Sequence, residues 1–184
     1  RYGTVSGTSV AAAVAAGAAA LLAEGRPGTG AAGLHSLLVG SAQRRDLDAA
    51  ASGAGLLDLR TAVQQEVVAT PPSIAFGIRD AEGLGVERTV QLENVSTRPL
   101  EISVQTVALA PKGVEITVDP PELSLEPGER ATLVVQANTN ALPMNAAREA
   151  TSVVFATTTD TKPSSIGTPE PARTRRYAFR ASPP

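Results

Sequence analysis

Ser9 follows a glycine and a threonine, Gly7-Thr8-Ser9, at the head of a long uncharged stretch. A serine hydroxyl is a poor nucleophile until a neighbouring base takes its proton, and a third group has to hold that base in orientation. The single histidine, His35, lies beside Leu34, Leu37 and Leu38, which puts it at the edge of an apolar helix face. Asp46, Asp48 and Asp58 read as loop or cap carboxylates rather than as members of a triad. Asp46-Leu47-Asp48 has too few oxygen ligands for a calcium loop. No cysteine occurs, so disulfides, thiolate chemistry and Cys-ligated metals are excluded. No metal and no cofactor is expected.

The elements that must place Ser9 are helical. Thr8 or Ser9 can cap a helix through residues 10–22, ended by Gly25 and Pro27. No charge falls between Tyr2 and Ala23, and a helix without a polar face is expected to be buried on every side. A second helix is expected near residues 31–42, with Leu34, Leu37 and Leu38 on one face. Gly53-Ala54-Gly55-Leu56-Leu57-Asp58 reads as a tight extended segment, followed by a third helix over about residues 59–67.

The order of these pieces resembles the end of the catalytic domain in subtilisin-like serine proteases. The family pattern Gly-Thr-Ser-Met-Ala-x-Pro-(His)-Val-Ala-Gly, followed by an Ala- and Leu-rich helix, resembles the run from Gly7 to Leu22, with Val10 in place of Met and Ala13 in place of Pro. Tyr2-Gly3-Thr4-Val5-Ser6 resembles the strand that leads into the serine. The Gly-Ala-Gly segment and the helix after it resemble the close of the domain. The resemblance implies Ser9 as the nucleophile, Thr8 and Gly7 beside the oxyanion site, and a polypeptide substrate. It implies that the acid, the base and the oxyanion Asn precede the serine, whereas the sequence begins at Arg1. The expectation is a fragment that needs the missing amino-terminal part of the catalytic domain and is inactive alone. If that part is absent, Val10, Val14, Leu21 and Leu22 are expected to face water, with Leu34, Leu37, Leu38 and Val63 covering one side only.

The pattern changes at Thr70-Pro71-Pro72-Ser73, where two prolines stop any helix. Beyond it the period becomes two. Strands are expected near residues 74–77, 86–93, 100–107, 114–118, 122–125, 130–137, 150–157 and 174–181. Val90 and Leu92, Ile102 and Val104, Leu133 and Val135, and Tyr177 and Phe179 alternate with polar residues. Turn signals fall at residues 94–99, 111–113 and 127–128, and a long Pro-, Ser- and Thr-rich loop is expected at residues 159–173. Many short strands at this spacing imply an antiparallel sandwich. The stretch from Leu125 to Val135 is similar to fibronectin type III-like and Ig-like modules found after subtilase domains. Asn94-Val95-Ser96 matches a glycosylation sequon but sits in an expected tight turn. Arg173, Arg175 and Arg176 read as a solvated basic face.

The whole chain is therefore expected to be α+β, with residues 1–69 closing an α/β subtilase catalytic domain and residues 70–184 forming the sandwich. The 184 residues carry 16 basic and 18 acidic side chains for a net charge of -2. That balance excludes a nucleic-acid binder, which needs a basic face. Aromatics make up 3%, with no Trp, so any core is built from Ala, Val and Leu. With 14 Arg against 2 Lys the composition resembles that of a GC-rich bacterium. The family implies an extracellular or cell-envelope serine endopeptidase. Two other readings remain. One is a non-catalytic extracellular sandwich that binds or assists a partner, with a degenerate amino-terminal helix. The other inserts that helix in a membrane; its mostly Ala composition gives weak drive for insertion.

Overall fold

A computed structural model describes residues 3–43, 52–75, 86–108, 115–138, 152–159 and 175–182. The Asp46-Leu47-Asp48 loop, residues 1 and 2, the 111–113 turn, Arg173 and the loop after Thr159 lie outside the described residues. So do the side chains of Arg175, Arg176, Tyr177 and Phe179. The described part holds helices α1 (Thr8–Gly25), α2 (Ala31–Gly40) and α3 (Leu59–Gln64). The strands are β1 (Val67–Thr70), β2 (Ser73–Ala75), β3 (Val86–Asn94), β4 (Leu100–Ala108), β5 (Glu115–Asp119), β6 (Glu122–Leu125), β7 (Arg130–Asn138), β8 (Ser152–Thr159) and β9 (Arg175–Ser182). The class is α+β, as expected.

The strands form two sheets, ordered β1-β3-β7-β5 and β2-β9-β8-β4-β6. Every pairing is antiparallel except β2 with β9, where Ile74 lies opposite Ala181 in a parallel pair. Between the sheets lies a core of Val67, Ile74, Val90, Leu92, Leu100, Ile102, Val104, Leu125, Leu133 and Val135. These are the inward positions of the alternating strands: Val90 stands opposite Leu133 in the β3–β7 register, and Val118 opposite Val135. The chain moves between sheets at Glu126-Pro127-Gly128-Glu129. There Gly128 adopts φ 78 and the Glu129 N–H donates to the Glu126 carbonyl at 2.9 Å, the Pro-Gly order that a type II turn requires.

Asn94 anchors the same end of the sandwich. It is fully buried, and its Nδ2 donates to the carbonyls of Arg98 at 2.8 Å and Leu125 at 2.9 Å. Its Oδ1 accepts from the Ser96 N–H at 2.9 Å and the Ser96 hydroxyl at 2.7 Å. The sequon residue is thus a turn-forming bridge, with both amide hydrogens engaged.

A second, smaller core joins the helices to this sandwich. Leu22 of α1, Leu37 of α2, Ala62 of α3 and Val68 of β1 are buried together, with Leu34, Leu38, Leu59 and Val95 packed around them. Two expectations are corrected here. The third helix stops at Gln64, and Val67 to Thr70 form a strand that pairs with β3, placing Val67 opposite Asn94. The sandwich thus gains a strand before residue 70, and Thr70 to Ser73 carries the chain from one sheet to the other, with Pro72 buried. Val67 enters the sandwich core while Val68, on the opposite face of the strand, enters the helical one.

Candidate functional site: the start of the first helix

Gly7 starts α1. Its φ of 142 and ψ of 164 lie where side-chain-bearing residues rarely go, and its carbonyl accepts from the N–H groups of Val10 and Ala11, each at 3.1 Å. Neither the Thr8 nor the Ser9 hydroxyl caps the helix, contrary to expectation; both residues already lie in the first turn, behind Gly7. A Cβ added at Gly7 meets nothing within 4 Å, so its backbone angle, and no close contact in this chain, calls for glycine. Thr8 and Ser9 are exposed. The Ser9 hydroxyl has no hydrogen-bond partner among the described residues. The first N–H groups of a helix have no partner within it and carry the positive end of its dipole.

The rest of α1 departs from the expected all-round burial. Only Ala18 and Leu22 are buried along it. Val14 and Leu21 are 58% and 59% exposed, and Val10 is also exposed. These three share one helix face, while Leu22, about 100° around the helix, points into the core. Leu22 is therefore covered, contrary to the expectation that it faces water. Val63 of α3 is itself largely exposed. By length and composition α1 could cross a membrane, but its carboxy-terminal turns are docked in protein through Leu22.

Beside the start of α1 runs an apolar groove of about 640 Å³, lined by Ser6, Gly7, Val10 and Val14 on one side and by His35, Leu38 and Leu56 on the other. His35 is exposed there, and no hydrogen bond joins it to Ser9. Residues 3–6, which resemble the strand leading into the serine, pair with no strand among the described residues and leave Val5 exposed. The far wall is held by a two-residue ladder: Gln43 and Leu56 exchange both backbone hydrogen bonds, at 2.7 and 2.8 Å. Gly53 and Gly55 at positive φ make the turn back toward Gln43.

Asp58 closes this wall as the cap of α3. Its Oδ1 accepts from the Thr61 N–H at 3.0 Å, and its Oδ2 from the Gln43 amide at 2.8 Å and the Thr61 hydroxyl at 2.9 Å. These donors favour the charged form and lower its pKa from 3.8 to about 2, the Thr61 backbone bond contributing most. This is a structural carboxylate, as its place before a helix suggested. Among the described residues no three of His, Asp and Glu gather as a metal site would require.

Residues 1–66 match the subtilase family. The match ends at Glu66, immediately before β1, so it covers the three helices and the Gln43–Leu56 ladder. No curated protein matches the chain. Among solved structures, WR4, an MSP family member of C. elegans, is 13% identical with a TM-score of 0.40, covering 65% of this chain and 98% of that one. A PapD-like domain of human CEP192 is 16% identical with a TM-score of 0.43, covering 64% and 84%. The E. coli chaperone DraB is 11% identical with a TM-score of 0.46; the likeness covers 64% of this chain and about half, 53%, of the chaperone.

Proposed function

We propose that this chain is the carboxy-terminal portion of a subtilisin-like serine endopeptidase, in which residues 1–66 close the catalytic domain and Ser9 is the nucleophile. The observation that carries the reading is the start of α1. A glycine at φ 142 opens an Ala-rich helix with Ser9 exposed in its first turn, inside the segment that matches the subtilase family. In the reaction, Ser9 Oγ attacks the peptide carbonyl while a histidine base takes its proton. The resulting oxyanion is held by the Ser9 N–H with the donors beside it, and the helix dipole favours the negative charge. The base then returns the proton to the leaving amine. Water cleaves the acyl-enzyme by the same path in reverse, restoring the serine. Thr8 borders the oxyanion site, and Gly7 leaves room for the substrate backbone.

The uncovered face of α1 supports a partner in this role. Exposed apolar patches of more than a few hundred Å² are uncommon on soluble monomers and mark a contact surface. Val10, Val14, Leu21 and the groove beside them are the surface on which the preceding part of the catalytic domain, with its acid, base and oxyanion Asn, packs. The substrate is polypeptide, and the parent enzyme works outside the cytoplasm or at the cell envelope. The 184-residue chain alone is expected not to react with a fluorophosphonate probe, because no base then stands beside Ser9 to take its proton. Stoichiometric labelling at Ser9 in the isolated chain would overturn the claim that the base comes from outside these residues.

A further inference from the structure

The helix that bears Ser9 is exposed for most of its length and gripped at its far end. Leu22 packs with Leu37, Ala62 and Val68. Just past the last turn, Arg26 donates to the Val63 carbonyl at 2.6 Å and to the Gln65 carbonyl, tying α1 to the end of α3. These contacts converge on β1. Ser36 of α2 is 1% exposed, and its hydroxyl donates to the Ala69 carbonyl at 2.5 Å and accepts from the Ala69 N–H at 3.0 Å. β1 is an edge strand. Ser36 thus takes the outward-facing pair of backbone groups that an edge otherwise leaves open.

The connection between the two parts is short and held at both residues. Only Gln65 and Glu66 separate α3 from β1. The Gln65 amide donates to the Val67 carbonyl at 2.9 Å. Glu66 pairs with the Arg98 guanidinium through two bonds, at 3.1 and 2.9 Å, and its carbonyl accepts from the Val95 N–H at 2.9 Å. Nothing in this junction resembles a free linker. Close-packed interiors transmit displacement rather than absorb it.

We propose that the sandwich is the rigid support of the Ser9 helix, and that Ser36 is a positioning residue transmitting the place of β1 through α2 to the last turns of α1. Its meaning for catalysis rests on the reading of Ser9 as the nucleophile; the mechanical coupling rests only on the contacts above. A sandwich joined in this way cannot be removed without loosening the helix that aims the serine.

Hydrogen exchange by mass spectrometry on the whole 184-residue chain tests the coupling. Ser36 makes no hydrogen bond to α1, so a purely local role predicts faster exchange in residues 33–40 and 67–70 alone. Coupling predicts that Ser36→Ala also speeds exchange in residues 18–25 by about tenfold, with β7 unchanged. Ser36→Thr, which keeps the hydroxyl, restores protection. Val68→Ala, which removes packing from the core that holds Leu22, also speeds exchange in residues 18–25 and serves as the positive control. Unchanged exchange in residues 18–25 in Ser36→Ala would overturn the proposal. So would a uniform rise that includes β7, which would mean global unfolding without a specific connection. The readout does not involve Ser9 chemistry, so an exchange result in favour would stand even if Ser9 proved not to be the nucleophile.

Discussion

Leu21 and Leu22 are adjacent, chemically identical and oppositely placed, which makes them a controlled pair. Leu22 is 0% exposed among Leu37, Ala62 and Val68, whereas Leu21 is 59% exposed. Truncating a fully buried leucine to alanine loses its transfer free energy and leaves a cavity that neighbours fill only in part, about 2–5 kcal/mol together. Leu22→Ala falls in that range, and the rigid Ala62 and the strand residue Val68 leave little to collapse inward. Leu21→Ala changes an already hydrated side chain and stays within about 0.5 kcal/mol, since alanine offsets the lost contact by its better helix propensity. For a chain of this length each kcal/mol lowers Tm by roughly 2–4 °C. A Leu22→Ala loss of about 3 kcal/mol thus lowers Tm by roughly 6–12 °C, against about 2 °C or less for Leu21→Ala. Urea titration and calorimetry on both variants make the comparison. Equal costs would refute the orientation of α1 and, with it, the assignment of the Val10–Val14–Leu21 face as the uncovered one.

Three further outcomes follow from buried or bonded polar groups. Asn94→Ala should cost about 2–4 kcal/mol, because it removes all four hydrogen bonds of a fully buried amide; a urea midpoint close to that of the unmodified chain would refute the bridging role. The same geometry predicts no glycan at Asn94 in a glycosylating host, checked by intact mass. Asp58 has a folded pKa of about 2 against an ordinary 3.8, so its contribution is fully present above about pH 4 and is lost as pH falls through about 2. Urea midpoints measured from pH 5 to pH 2 should therefore fall more steeply for the unmodified chain than for Asp58→Ala, and parallel curves would contradict the capping geometry.

Much of the sandwich was legible because its strands alternate. Val90 and Leu92, Ile102 and Val104, and Leu133 and Val135 point inward as their period of two requires, and Pro127-Gly128 marks the turn that the structure contains. β1 escaped for a physical reason. Val67 and Val68 are both buried, one in each core, so the strand shows no alternation, and Val67 reads as the tail of α3. The parallel pairing of β2 with β9 joins segments about a hundred residues apart and leaves no local signal. At the candidate site, the Gly-Thr-Ser motif and the Asp58 cap were readable from residue type and spacing. The exposure of Val10, Val14 and Leu21 was expected from the absence of covering residues, but the burial of Leu22 was not, because an uncharged Ala-rich helix does not show which face docks. Neither was Ser36, whose role depends on an edge strand that the sequence did not reveal.

We propose Ser9 as the nucleophile of a serine endopeptidase completed by a preceding catalytic segment. The most direct measurement is fluorophosphonate labelling of the complete enzyme, followed by peptide mapping of the adduct. A single adduct on Ser9 is expected, lost together with peptide hydrolysis in Ser9→Ala. An adduct on another serine, or hydrolysis that survives Ser9→Ala, would contradict it.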